Sequence, residues 1–482
     1  MEHDHLDPRG DRPPSQHLRI VHLVLVGEVW LEEVEICAAD DLVPAGSADM
    51  QHQRRVDPTE NSLPVLDPEQ DVFEVVEELE DRVNASAERS RRRFESRFGH
   101  GKVFSYLGHD ATWACKNLVE NDRPASGFYQ NEYRMSMFRG RHATSIENDT
   151  LRVTVLHQGG HIAEILDKPT GINPLWIPPW ASIEPSEYDP ARHPEYGGGA
   201  DASLLAGIMG HNLCLDIFGG PSPHEAAAGL PVHGEVSTAR FSVSADDGQI
   251  TMQAVLQAAQ LRVHRRIVLT DRTVRVHESV ENLSATDRPV GWTQHVTLGP
   301  PFLEKASTEF RTPATRSRVF EGAFGPDDTL FAGADFYWPL APRRSGGQED
   351  LRVHTSALRS SAYTAHLMDP AQDEAFFVAF SPSAQLAFGY SWRRVDFPWL
   401  GIWEENHSRT TAPWNGRTLA RGLEFGVSPM PETRRQMIER GPLFDSPAFR
   451  WIPARQRVDV EYYAALQRAE RIPEVLAIAP IS

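Results

Sequence analysis

The chain has 482 residues, 40% of them hydrophobic, and a formal net charge of −19 at neutral pH. This length is sufficient for two or three domains, or for one large β domain with an appendage. The negative charge argues against nucleic acids and anionic membrane surfaces as main partners. Since no apolar run approaches the roughly 20 residues that a membrane-spanning helix needs, we expect a cytoplasmic protein without a membrane partner.

Cysteine usage predicts neither a covalent framework nor a metal site. Cys37, Cys115 and Cys214 are far apart and odd in number, so they show neither a disulfide pattern nor zinc-ligand spacing. The glycines at Gly219-Gly220 do not lie between a strand and a helix, as a phosphate-binding loop would require. We therefore predict no metal and no cofactor.

The first part of the chain, residues 1–137, differs in composition from the rest. Met1 to Gln16 is rich in His, Asp, Arg and Pro, which is typical of disordered sequence. The apolar stretch from Leu18 to Leu31 is interrupted by charged residues and lacks a clear cleavage site, so we do not interpret it as a signal peptide. We predict a largely disordered or loosely packed extension, and hypothesise that the genuine start lies near Met135.

Strand patterns dominate from Ser145 onward. Leu151, Val153 and Val155 alternate with polar residues, which indicates a half-buried strand. No helical pattern of 10 to 15 residues separates the strands that follow, although Ala202 to Met209 could form a short helix or turn. Further strands are predicted at Arg240–Ala245, Gln249–Leu256, Leu261–Leu269, Thr273–Asn282, Arg288–Leu298, Ala362–Leu367, Ala375–Phe380, Gln385–Trp392, Leu400–Glu405, Ala420–Val427 and Val458–Leu466.

This unbroken strand series favours an antiparallel meander over a parallel α/β sheet. We predict an all-β protein in which residues 138–470 form one large antiparallel β-sandwich of two sheets. Residues 471–482 are expected to be a C-terminal tail.

The strand around His295 is the strongest candidate for a site. If the strand is regular, Trp292 and Gln294 share one face. Thr293, His295 and Thr297 share the other, which is too polar for a core and suits the wall of a wet cleft. A hydrogen-bonded histidine on a solvated sheet face explains the same pattern equally well.

Three landmarks in this background resemble the aldose 1-epimerase (galactose mutarotase-like) superfamily. They are the His233-Gly234 pair, His295 at the end of Trp292-Thr293-Gln294-His295, and Glu424 in Arg421-Gly422-Leu423-Glu424-Phe425-Gly426. They occur in the family's order, and the resemblance covers roughly residues 140 to 465. Ser237 and Gln294 replace an Arg and an Asn that are frequent in the family, and the family's Asp has no match. These departures place the chain in an outlying branch.

The resemblance implies a β-supersandwich fold and the interconversion of sugar anomers. One group must take a proton from the anomeric hydroxyl while another gives a proton to the ring oxygen, and a carboxylate and an imidazole suit this exchange. By resemblance, Glu424 would be the base and His295 the acid. His233 would hydrogen-bond a sugar hydroxyl, so the implied partner is a small-molecule sugar.

Aromatic residues supply a second clue, since Trp rings stack on the apolar faces of sugars at low entropic cost. Trp403 stands beside two carboxylates, as in a sugar subsite, and many of the other tryptophans are expected in the core. The predicted substrate-binding residues are His233, Trp292, Gln294, Trp403 and Glu405.

Two other functions remain open on the same scaffold. The first is a non-catalytic carbohydrate-binding protein, because fold does not determine function. The second is a polysaccharide lyase or hydrolase, in which Glu404 or Glu405 would pair with Glu424. The sequence identifies neither the sugar nor the oligomeric state.

Overall fold

The computed structural model describes residues 136–479. Nearly all of the predicted extension, the hypothetical start near Met135, and two of the three cysteines therefore lie outside the described residues, as do the last three residues of the predicted tail. The described chain begins with a strand at Ser136–Phe138, and its last strand ends at Arg468.

Strands numbered in chain order form two large sheets whose neighbouring strands all pair antiparallel. The larger sheet has 12 strands. In spatial order they are β1 (Ser136–Phe138), β2 (Arg141–Glu147), β3 (Leu151–Leu156), β4 (Ile162–Asp167), β5 (His211–Asp216), β10 (Arg288–Leu298), β20 (Leu419–Gly426), β19 (Trp399–Asn406), β16 (Ser360–Met368), β12 (Ala314–Val319) and β13 (Asp335–Tyr337), with β21 (Arg450–Ile452) paired to one end of β10.

The smaller sheet has eight strands. In spatial order they are β11 (Glu309–Arg311), β17 (Glu374–Ser381), β18 (Leu386–Arg393), β22 (Arg457–Arg468), β9 (Thr273–Asn282), β8 (Leu261–Thr270), β7 (Gln249–Leu256) and β6 (Ser242–Asp246). A separate hairpin joins β14 (Leu340–Pro342) to β15 (Gln348–Asp350).

Helical segments are short. The α-helices are Ala202–Gly207, Pro223–Ala227 and Arg434–Arg440, and 3₁₀ turns occur at Pro185–Glu187, Pro194–Tyr196 and Glu235–Ser237. None of the helices between residues 136 and 479 has the length and apolar character needed to cross a membrane. The short helix predicted after Ala202 is present.

The prediction of an all-β antiparallel sandwich is confirmed, and the sequence pattern explains why. Along β8, burial alternates residue by residue, so one face of the strand packs inward while the other meets solvent. The strand β5 was missed because all six of its residues are buried, and a strand covered on both faces shows no alternation.

The main core lies between the two sheets. It combines Trp292 and Val296 from β10 with Val276 from β9 and Phe388 from β18. These side chains have almost no solvent exposure, so the sandwich is held largely by apolar burial, at roughly 25 cal/mol per Å².

A polar network is enclosed in this core. The carboxylate of Glu278 accepts hydrogen bonds from Nε1 of Trp292 at 2.6 Å and from Nε2 of Gln294 at 2.7 Å, and Nε of Arg265 donates to it at 2.8 Å. The side-chain oxygen of Gln294 lies 3.0 Å from both the Tyr462 hydroxyl and Nε2 of His211. Because each group has partners, the cost of burying these charges and dipoles is offset.

Candidate active site

Two adjacent strands of the larger sheet bring His295 and Glu424 together. In the β10–β20 ladder these residues are direct cross-strand partners, and partners of this kind project their side chains on the same sheet face. Nε2 of His295 lies 3.0 Å from Oε1 of Glu424. Residues that are far apart in the chain thus form an imidazole–carboxylate pair.

Glycines make room for the carboxylate on this face. Gly422 and Gly426 lie two residues before and after Glu424, and Gly401 is its direct partner on β19. A Cβ at Gly422 would lie 2.4 Å from Oε1 of Glu424, and one at Gly426 would lie 2.4 Å from Oγ1 of Thr293. Side chains at these positions would displace the polar groups of the site.

The pair is almost enclosed. Glu424 is 2% exposed and His295 6% exposed, and no hydrogen bond of good geometry reaches Oε1 of Glu424 from any residue of the described chain. The short contact with His295 satisfies the distance but not the direction of a hydrogen bond. The carboxylate therefore retains a free acceptor position beside a proton carrier.

The charge of Glu424 acts on two neighbouring side chains. Burial is the main cause that raises the pKa of the Cys214 thiol and of the Tyr363 phenol, and the nearby Glu424 carboxylate raises both further. The Tyr363 hydroxyl donates to the carbonyl oxygen of Pro429 at 3.0 Å. Both groups therefore remain neutral at ordinary pH and add no negative charge to the site.

His233 enters the site from a turn next to β5. Its ring centroid lies 5.2 Å from that of His295, and Nδ1 donates to the carbonyl oxygen of Phe218 at 2.6 Å. Burial, and secondarily the neighbouring His295, lowers the pKa of His233 to about 3. A neutral imidazole whose Nδ1 donates has an acceptor at Nε2, and that acceptor suits a hydroxyl group of a ligand.

Steric constraints on the backbone explain why glycine follows His233. Both residues have positive φ, 66° and 80°, and a Cβ at Gly234 would lie 1.9 Å from the carbonyl oxygen of Leu215. The turn is tied to β5 by the hydrogen bond from the amide of Leu215 to the carbonyl of His233, at 3.1 Å. Only glycine allows this close approach.

Gly234→Ala is expected to destabilise the fold by roughly 1–3 kcal/mol, because alanine is strained at this φ and collides with the strand. Urea denaturation of the variant measures the loss. Gly229→Ala is a suitable control, since Gly229 also has a positive φ, 88°, but a Cβ there would meet no atom within 4 Å. Equal losses in the two variants would contradict the steric explanation.

Aromatic side chains cover this face. Trp403 lies two residues from Gly401 on β19, and its ring centroid is 5.9 Å from that of His295 and 6.1 Å from that of Trp414. The guanidinium of Arg409 lies 5.2 Å from the Trp414 ring centroid. These rings belong to a second apolar cluster on the site face, so water has little access to the pair.

Glu405 lies on the same face of β19 as Trp403, but its carboxylate is already hydrogen-bonded within the protein. Its carboxylate accepts hydrogen bonds from the amides of Ser408 and Arg409 and from the Arg409 guanidinium. Glu404 points to the opposite face, where it pairs with Arg421 at 3.2 Å. Glu405 therefore supports the loop that carries Arg409, and Glu404 is separated from Glu424 by the sheet.

Trp292 and Gln294, both predicted to contact substrate, lie on the opposite face of β10 from His295. They are buried between the sheets in the Glu278 network. Neighbouring residues on a strand alternate faces, so the strand that presents His295 to the site directs both side chains into the core. They are therefore not part of the site.

Asn212 also lies on the site face, although no sequence pattern predicted it there. It is the direct cross-strand partner of His295 on β5, on the side away from Glu424. Recognising β5 as a strand would have placed Asn212 on this face.

Among residues 136–479, no group of three or more His, Cys, Asp or Glu side chains is arranged to hold a metal ion.

Comparison with solved structures gives folds similar to this one. The chain is similar to a candidate aldose 1-epimerase from Klebsiella pneumoniae, with 13% identity, a TM-score of 0.48, and coverage of 68% of this chain and 80% of that one. A galactose mutarotase-like protein from Clostridium acetobutylicum shows 13% identity and a TM-score of 0.46, with 69% and 97% covered. A galactose mutarotase related enzyme from Lactobacillus acidophilus shows 12% identity and a TM-score of 0.44, with 69% and 99% covered.

Comparison of the sequence with family models and with curated proteins gives no match.

Proposed function

We propose that this protein is an aldose 1-epimerase-like enzyme that interconverts sugar anomers by acid–base catalysis. The observation that carries the proposal is the contact between Nε2 of His295 and Oε1 of Glu424, 3.0 Å apart on adjacent strands. A proton carrier and a carboxylate with a free acceptor position meet there, under aromatic side chains.

The spacing of the two groups suits the reaction. In mutarotation, the anomeric oxygen loses a proton while the ring oxygen gains one, and both oxygens are bonded to the same carbon. The acid and the base must therefore be neighbours. Glu424 would take the proton from the anomeric hydroxyl and His295 would protonate the ring oxygen, after which the roles reverse. Proton transfer of this kind contributes roughly 10²–10⁴-fold to a rate.

Two further groups complete the proposal. His233 remains neutral because burial lowers its pKa to about 3, so its free nitrogen would accept a hydrogen bond from a sugar hydroxyl. Trp403 borders His295 and supplies an apolar wall for the sugar ring.

Polarimetry tests the proposal directly. Freshly dissolved α-anomers of several aldoses should reach anomeric equilibrium faster with the protein than in buffer, in proportion to protein concentration. Boiled protein serves as the blank. Rates equal to the blank for every aldose tested would overturn the proposed activity.

Burial of the pair favours one alternative, a carbohydrate-binding protein without turnover. Glu424 is 2% exposed, and substrate must reach it past the covering aromatic residues. Sugar binding measured by calorimetry, together with absent polarimetric activity, would support this alternative. A hydrolase needs two carboxylates on either side of one bond, and the positions of Glu404 and Glu405 do not support that function.

A further inference from the structure

Buried polar atoms without partners extend the site beyond His295 and Glu424. The side-chain oxygen of Asn212 and the hydroxyl of Thr293 have no hydrogen-bond partner among the described residues. Both side chains are fully buried, at 0% exposure. The amide nitrogen of Asn212 has only a weak contact, 3.9 Å from the Cys214 sulfur.

Such groups are costly to leave unsatisfied. A buried acceptor without a partner costs roughly 1–3 kcal/mol, and proteins that keep one commonly satisfy it with a bound water or a ligand. The position of Asn212 favours a ligand over a structural water. It lies directly opposite His295 in the β5–β10 ladder, on the face that carries the acid–base pair.

Three polar side chains thus follow one another across adjacent strands. Asn212 on β5 is paired with His295 on β10, and His295 is paired with Glu424 on β20. Adjacent strands are about 4.8 Å apart, so Asn212 and Glu424 flank His295 on opposite sides. A ligand that lies along this row meets the carboxylate, the imidazole and the amide in that order.

We propose that Asn212 binds the exocyclic hydroxymethyl group of an aldohexopyranose and makes the enzyme prefer hexoses to pentoses. This inference rests on the proposed function, in which the anomeric oxygen lies at Glu424 and the ring oxygen at His295. The next oxygen in that direction belongs to the substituent on the carbon beyond the ring oxygen. Pentopyranoses lack this substituent and leave the Asn212 amide unpaired.

Two sugar pairs test the inference, D-galactose with L-arabinose and D-glucose with D-xylose. The members of each pair differ only in the hydroxymethyl group. The wild-type kcat/KM should favour the hexose by about ten-fold or more, since a site that pairs a hydroxyl discriminates against a substrate without it. Asn212→Leu should lower the hexose-to-pentose ratio of kcat/KM about ten-fold.

Asn406→Leu is the matched control. Asn406 is equally buried and also has an unpartnered side-chain oxygen, but it lies on the opposite face of β19 from Trp403. This substitution should leave the hexose-to-pentose ratio unchanged even if stability falls. If Asn212→Leu does not fold, Asn212→Ser and the wild-type ratio still decide the question.

The outcomes distinguish failure of the proposed role of Asn212 from failure of the proposed mutarotase activity. Equal wild-type values for hexose and pentose, or an equal loss on both in Asn212→Leu, would overturn the inference and leave the proposed activity standing. If the wild type has no activity, calorimetric Kd values for the same sugars replace kcat/KM. A hexose preference in binding that Asn212→Leu removes would then support the inference without the catalysis, whereas no binding of any of the four sugars would overturn both.

Discussion

Glu424→Gln is expected to lower the kcat for mutarotation by at least about 10²-fold while sugar affinity stays within a few-fold. The amide keeps the size and polarity of the carboxylate but cannot accept a proton at neutral pH. Only the transition state loses an interaction, so kcat falls and binding does not. Polarimetric progress curves over a range of sugar concentrations separate the two quantities.

Two companion variants sharpen this result. His295→Asn should produce a similar loss, because the acid partner of the same 3.0 Å contact is removed. Glu147→Gln, on the exposed face of β2 in the same sheet, should retain full activity. Undiminished turnover of Glu424→Gln on every sugar that the wild type converts would contradict the catalytic assignment.

A steep loss of stability between about pH 6.5 and pH 4 is the second large effect that we expect. Besides His233 in the site, four histidines are buried and neutral in the folded protein. Burial is the main cause that lowers the pKa of His161 and His366 to about 3, and it lowers the pKa of His211 and His354 well below the ordinary value. All four are at most 1% exposed.

The direction follows from proton binding. Above the ordinary histidine pKa of 6.5, neither the folded nor the unfolded state binds these protons, and stability is at its full value. Below it, the unfolded chain becomes protonated while the folded chain stays neutral, so the free energy of unfolding falls as pH falls. Each histidine contributes up to about 1.4 kcal/mol per pH unit, and four contribute an upper limit of about 5 kcal/mol per unit.

Urea denaturation at intervals from pH 7.5 to pH 5 measures the slope. His354→Leu should reduce this slope by up to about 1.4 kcal/mol per pH unit, because one of the titrating histidines is removed. The variant should still fold, since neither ring nitrogen of His354 has a hydrogen-bond partner in the described chain. A free energy of unfolding that does not change over this range would contradict the neutral state of these residues.

Local sequence patterns were sufficient for the fold class and for part of the site. Strands such as β7 and β8 alternate because one face is buried and the other is solvated, and that alternation is visible in the sequence. The His233-Gly234 pair is also local, since a left-handed turn that approaches a strand closely requires glycine. The same alternation correctly separated the two faces of β10.

The family resemblance paired His295 with Glu424, but only the tertiary structure separated Trp292 and Gln294 from that site and placed Asn212 beside His295. Trp292 and Gln294 belong to the core because the smaller sheet covers their side of β10. Glu424 and Asn212 reach His295 because β20 and β5 pair with β10 on either side. Strand pairing between distant segments depends on burial and backbone hydrogen bonding over the whole sheet. No local pattern records it, and β5, buried on both faces, shows no pattern of its own.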